Sequence, residues 1–384
     1  MFIFLASREI WRNKGRFFLF SLVIALITVL VLFVSALAEG LALANKEYLD
    51  KLEVDLLVFE DTAELSASAS MIGRSLLNDI RRVDGVEEIG PIGFSVGSII
   101  FQDDREALDV SLIGIEAGAP GEPPVVAGEY LQVNRGNDVV VDANVVAAAG
   151  ISLGDEIIIK TIQNGEEEFN IVTVVGLAEG QEYLYAPSIF LPYRTWDKIR
   201  SGGMSGGGLV ELNSNVVAVT LVDPTAVDMM IEQLEAQVDN IHAVTPQTAI
   251  ESIPGFQVQQ STLNTQRGFA LLISVLVIGG FFQIQTLQKV PQIGVLKAIG
   301  TDNSTVAAAA VLQIILTTAF GIFLGAVFSW GISLGIPSSV PIVFSLRSVG
   351  LAVALLMLMG PAGGLVSVRA AVRVEPLRAL GLSS

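Results

Sequence analysis

Residues 17–38 form a run of 22 without a single charged side chain. At 1.5 Å per residue a helix of that length reaches about 33 Å, enough to cross a hydrocarbon core of about 30 Å. Three more apolar runs follow, at 269–288, 305–334 and 348–368. Residues 39–268 contain no run of that kind. A chain built this way must place four helices in lipid and fold a large block outside it. The composition agrees: 52% of the 384 residues are hydrophobic and only 16% charged, too apolar for an ordinary soluble protein.

The net charge of −17 hides a division. Residues 39–268 hold 12 Lys/Arg against 36 Asp/Glu, whereas the rest holds 10 Lys/Arg and only Glu9, Asp302 and Glu375. An acidic block argues against nucleic acid as a partner. Orientation follows from the basic residues flanking the runs. Arg8, Arg12, Lys14 and Arg16 precede the first run, Lys289 and Lys297 lie between the second and third, and Arg369, Arg373 and Arg378 follow the fourth. Four spans put all three groups on one side, expected to be the cytoplasm. Both termini then lie inside the plasma membrane, and the acidic block and the 335–347 loop lie outside. Arg347, at the outer end of the fourth run, can snorkel to the interface. Ala36-Leu37-Ala38 before Glu39 also resembles a signal-peptidase site, and cleavage there would leave three spans. Retention is expected, because a 22-residue run exceeds the usual signal length of about 7–15. Residues 1–16 mix Trp11 and other apolar residues with four cations. They read either as an amphipathic helix on the inner membrane face, against lipid, or as a plain basic flank.

The chain has no cysteine, which removes disulfides, thiolate metal sites and thiol nucleophiles. One histidine, His242, reads as a surface or packing residue and cannot build a multi-histidine metal site. No Gly-Lys pair occurs, so there is no P-loop: the chain is expected to be no enzyme, with no cofactor of its own. No ionisable residue lies inside a span, which argues against a proton- or ion-coupled carrier.

The expected fold is an α-helical membrane protein with four transmembrane helices and a large extracytoplasmic α+β domain. In the external block, residues 39–60 begin helical and turn to strand at DLLVFE, SASMIGRSLLNDIRRVDGVEEI has helical spacing, and SVGSIIF and LDVSLIGIE then read as strands, so that a βαβ unit results. The middle is β-rich: DVVVDANVVAAAG, GDEIIIKTIQ and NGEEEFNIVTVVGL, with Asn164-Gly165 as a hairpin turn. The glycine-rich stretch 202–208 reads as a linker. VVAVTLVD is then a strand and TAVDMMIEQLEAQV a helix, which completes a second α/β half around the β-rich insert. No nucleophile and base stand out as a pair.

The stretch KVPQIGVLKAIGTDNSTV, 289–306, is the one cytoplasmic segment between spans. QIGVLKAI has helical spacing; Pro291 can start a short helix, Gly300 can end it, and Asp302 or Ser304 can cap the third span. Such a helix can dock in a groove of a soluble partner or lie on the membrane. In the spans, Gly321 with Gly325 and Gly331 with Gly335 form small-residue pairs that permit close helix contact. Gly360-Pro361 and Gly363-Gly364 are expected to loosen the fourth span.

The stretch QKVPQIGVLKAIG resembles the cytoplasmic signature of the FtsX-like, MacB-type ABC transporter permeases, matching at Lys289, Ile293, Gly294, Leu296, Lys297, Ala298 and Gly300. Gln292 stands where that family has an acid. SVRAAVRVEPLRAL is similar to the family's C-terminal motif, through Arg369, Ala370, Arg373, Glu375, Pro376, Ala379 and Leu380. The layout of one span, a large external domain and three spans matches as well. Residues 8–72 are similar to the haem-efflux, HrtB-type branch. The resemblance implies a permease homodimer bound to two separate ATPase subunits, which supply ATP and magnesium binding. It makes Ile293, Gly294, Leu296, Lys297, Ala298 and Gly300 the coupling residues. It implies mechanotransmission, in which ATP-driven motion expels a hydrophobic or amphipathic compound such as haem, with or without an adaptor. Motion transmitted to a cell-wall hydrolase, or extraction of lipoproteins, would use the same architecture. Glu39, the acid nearest the membrane, reads as a haem ligand or as a simple helix-end acid.

Overall fold

The computed structural model describes residues 14–101, 105–163, 165–200, 213–336 and 340–372. The chain divides into two compact units, 42–259 and 1–41 with 260–384. Several expectations fall outside the described residues: the amphipathic segment up to residue 13, Asn164, the glycine-rich stretch 202–208, and the C-terminal motif from Arg373 on.

In unit 42–259, strand β1 (Leu56–Glu60) leads through helix α2 (Arg74–Arg81) to β2 (Val86–Ile100). Near the other end, β9 (Val216–Leu221) leads through α5 (Val227–Gln237) to β10 (Ile241–Val244). These four strands lie in the order β10-β1-β9-β2, every neighbouring pair antiparallel. That is the split βαβ arrangement of ferredoxin-like folds. β1 is apolar at four consecutive positions because both faces are covered. Leu56 and Val58 pack with Ile80, Leu234 and Met230 from the two helices. Leu57 and Phe59 pack on the opposite side with Tyr48, Ile92 and Val244.

The β-rich insert closes on itself. Its strands are β3 (Leu108–Ile115), β4 (Val125–Gly128), β5 (Asp138–Asp142), β6 (Glu156–Gln163), β7 (Glu166–Ala178) and β8 (Ser188–Pro192). β2 pairs β3, then β8, β5, β7 and β6 follow in turn, and β6 pairs back with β2. The ring is a small barrel filled by Val110, Leu112, Val139, Val174, Ile189 and Trp196. Trp196 comes from helix α4 (Tyr193–Ile199) and is fully buried. Gly93 and Gly114 sit opposite each other in β2 and β3, and a Cβ on either would come within 2.4 Å of the indole. Glycine is needed there to let the ring lie on the strands. The β6–β7 register pairs Gln163 with Glu166, which leaves a two-residue turn with Gly165 at φ +85°.

One segment differs from its sequence reading. DVVVDANVVAAAG reads as part of the β-rich middle, but its second half is helix α3 (Ala143–Ala149). Asp142 caps it by accepting from the Asn144 amide, and Gly150 closes it at φ +69°. The valines favour strand, and the cap, the alanines and the terminal glycine override them.

The other unit holds the apolar parts of the long helices α1 (Lys14–Asp50), α7 (Phe256–Ala298), α8 (Asn303–Ser333) and α9 (Leu346–Val372). All four are long and apolar enough to cross a membrane. Ile24, Leu32, Ile278, Phe282, Ile314 and Leu356 form their shared core. The last part of α1, in unit 42–259, is tied to the sheet domain there: the Tyr48 amide donates to the Glu182 carbonyl at 3.0 Å, and the buried Tyr48 hydroxyl donates to the Gly121 carbonyl at 2.8 Å. The remaining short helix, α6 (Pro246–Glu251), is capped by Thr245.

Candidate functional site

The stretch expected to form a separate helix after Pro291 does not. α7 runs unbroken through Pro291 to Ala298, because the apolar run and the helix-favouring stretch after it outweigh one missing amide. Gly300, at φ +93°, ends the segment as expected for a left-handed cap. Within it Gly294 is buried, Ile293 and Lys297 are half-buried, and Ala298 is exposed, as are the neighbouring Val295 and Ile299. Leu296 lies on the same helical stretch. Asp302 stands at the N-cap of α8 and accepts from the Ser304 hydroxyl.

The two glycine pairs of the third span behave differently. A Cβ at Gly321 would stand 2.6 Å from Ile24 Cβ, and one at Gly325 would stand 2.5 Å from Thr28 Cβ. Both glycines therefore hold α8 directly against α1. Gly331 has open space at its Cβ position, and Gly335 meets only the Ile332 carbonyl of its own turn. The glycines expected to loosen the fourth span pack closely instead. Gly360 lies on Thr318, Gly364 on Ile314, and Gly363 against Gly279. Small residues there exchange side-chain bulk for backbone approach.

Around Ser35 and Glu39 of α1, polar groups converge. Glu39 Oε2 accepts a 2.7 Å hydrogen bond from the Ser348 hydroxyl. One turn back along α1, the Ser35 carbonyl accepts from Arg267 at 3.2 Å. Below them α1, α7 and α9 enclose a groove with about 460 Å³ of free space, part of it open to the surroundings. Val31, Leu271, Leu351 and Leu355 are among its apolar lining residues. Sequence reading singled out Glu39 but missed Arg267 and Ser348. Arg267 lies in TPQTAIESIPGFQVQQSTLNTQRG, the stretch that leads into the second span, and its position two residues ahead of a charge-free run is the signal that marks it. Among the described residues no cluster of three or more His, Asp or Glu is placed to hold a metal ion.

Four long apolar helices packed through glycines, in a chain that also folds an α+β domain with an inserted barrel, define an integral membrane protein. Two family models match the chain: the MacB-like periplasmic core domain over residues 17–237, and the FtsX-like permease C-terminal over residues 268–376. The chain belongs to the FtsX-like, MacB-type permeases of ABC transporters, integral proteins of the plasma membrane that work with an ATPase and are not themselves catalysts. It is 27% identical over 377 residues to a protein of Staphylococcus haemolyticus provisionally named hemin transport system permease protein HrtB, covering 98% of this chain and 99% of that one. A protein of the same name in Staphylococcus epidermidis is 23% identical over the same coverage. An uncharacterized ABC transporter permease of Mycobacterium tuberculosis is 21% identical over 385 residues, 99% of each chain. Among solved structures, the extracellular domain of the ABC-type transporter YknZ aligns with a TM-score of 0.36 at 14% identity, over 50% of this chain and 99% of that one. The periplasmic region of MacB from Actinobacillus actinomycetemcomitans aligns at 0.35 and 17%, over 51% and 91%.

Proposed function

We propose that this chain is the membrane subunit of an ATP-driven exporter that works by mechanotransmission, as a homodimer with two ATPase subunits, and that it expels an amphipathic compound such as haem. The observation that carries this reading is the continuity of α7. It is a single helix of 43 residues that includes both the second apolar run and the Lys297-bearing end. A helix that long, about 65 Å, can carry a displacement along its length as one rod. The Ile293–Lys297 part, with Ala298 and Gly300 closing it, is the contact for the ATPase. The staphylococcal relatives named for hemin transport supply the substrate class.

The test is the complex purified in mild detergent from its native membrane. Native mass spectrometry is expected to find two permeases with two ATPases, and hemin is expected to stimulate ATP hydrolysis. Gly294→Trp and Lys297→Glu are each expected to remove that stimulation while leaving the external domain folded. A chain that emerges without an ATPase, or unaltered stimulation in both variants, overturns the reading. To separate a haem ligand from a structural tie, Glu39→Ala and Ser348→Ala are compared for protection of cells against hemin. Equal protection by the two ends the ligand role of Glu39.

A further inference from the structure

The groove described above has a direction. Its lining residues on α1 run from Val31 to Ser35, on α7 from Arg267 to Leu271, and on α9 from Ser348 to Leu355. The first helix runs opposite to the other two, since four spans alternate. Ser35, Arg267 and Ser348 therefore all stand at the same end, with apolar side chains for about one further turn of each helix, about 5 Å. The cavity has a polar mouth and an apolar shaft parallel to the helices. That shape takes an amphiphile whose long axis lies along the bilayer normal.

Arg267 decides the sign of the polar end. Its guanidinium is a cation that offers five N–H donors and no acceptor. Its hydrogen bonds go to neutral acceptors, the Ser35 carbonyl at 3.2 Å and the Asn264 side-chain oxygen at 3.5 Å. Its Nε is buried and has no hydrogen-bond partner among the described residues. The Glu39 carboxylate at this rim accepts from the Ser348 hydroxyl. A partly buried cation without an anionic partner is costly, and it is stabilised by an anion that brings its own oxygen acceptors. The apolar shaft offers such an anion a place for a hydrocarbon chain.

The geometry points to a binding site for an acidic phospholipid, its phosphate on Arg267 and one acyl chain in the shaft between α1, α7 and α9. This site rests on the groove and on membrane insertion alone, so it stands or falls separately from the haem reading.

The experiment is native mass spectrometry of the purified complex, titrated with phosphatidylglycerol or phosphatidylcholine. The wild type is expected to retain one phosphatidylglycerol per permease chain and to bind phosphatidylcholine far more weakly. Arg267→Gln is expected to loosen phosphatidylglycerol about tenfold, and Arg267→Lys to keep the preference. Leu351, 65% exposed, lines the shaft, so Leu351→Trp blocks it without disturbing the packed core and is expected to displace the lipid while Arg267 remains. The site is overturned by equal retention of both lipids, by retention unaltered in Leu351→Trp, or by hemin displacing phosphatidylglycerol at equal concentration.

Discussion

The Ser348 hydroxyl sits 2.7 Å from Glu39 Oε2 and donates to it, joining the first turn of α9 to α1 across 309 residues of sequence. Both residues are half-buried. Inter-helix bonds of membrane proteins contribute about 0.6 kcal/mol on average and up to about 1.7. Ser348→Ala is expected to destabilise the bundle by about 1 kcal/mol, and Glu39→Ala with Ser348→Ala to cost no more than Glu39→Ala alone. A double-mutant cycle on thermal unfolding in detergent measures this. Additive losses would show that the two side chains act independently.

The contrast between the glycine pairs of α8 gives a matched test. Gly321→Leu and Gly325→Leu force side chains into Ile24 and Thr28 of α1. Overpacking of that kind costs about 1–3 kcal/mol. Gly331→Leu enters open space and is expected to be neutral. Unfolding temperatures of the three variants decide it, and a Gly331→Leu loss as large as the others would mean that face is covered in the assembled protein.

The glycine result also shows where sequence reading stops. The two pairs share one motif, but ten residues of helix amount to about 2.8 turns, which turns the second pair about 80° from the first. Spacing predicted small-residue contact for both and could not say which face met α1. The four spans were legible because a charge-free run of that length has one stable use. The βαβ halves were legible from local periodicity. The β10-β1-β9-β2 order and the closed barrel were not, since they depend on pairings such as Ser98 with Lys160 that no local pattern encodes. By sequence Arg267 reads as one more polar residue of the stretch before the second span; only the fold sets it over an apolar groove.

Asp142 supplies a pH test within the sheet domain. It is fully buried, caps α3 through the Asn144 amide, and also accepts from the Gln181 amide at 3.3 Å. Burial is the main cause that pushes its carboxyl up to about 6, with backbone hydrogen bonds opposing. Burial, Asp142 and Glu47 likewise raise Glu182. An acid whose folded pKa exceeds its unfolded value holds its proton more tightly when folded. Its contribution is therefore complete below about pH 4 and is lost as the pH rises to about 6, up to about 3 kcal/mol in all. Asp142→Asn keeps a good cap and is expected to remove this slope. Hydrogen exchange of the α3 amides, corrected for intrinsic rates, reads it out; an unchanged slope in the variant assigns the effect to other groups.

Pro291 lies inside α7, not at its start. A proline there deprives the Leu287 carbonyl of its usual partner and costs about 3 kcal/mol against alanine. Restoring the amide with Pro291→Ala is expected to slow hydrogen exchange over residues 288–296. The effect on coupling separates two mechanical pictures. If α7 acts as a rod, a stiffer rod transmits at least as well, and hemin-stimulated ATP hydrolysis is expected to stay at or above the wild-type level. A hinge at Pro291 would behave in the opposite way, with slower exchange accompanied by collapse of stimulation. Measuring both on the same preparation keeps the outcome clear: protection gained with stimulation lost would refute the rod, whereas protection gained with stimulation kept places the moving joint elsewhere than Pro291.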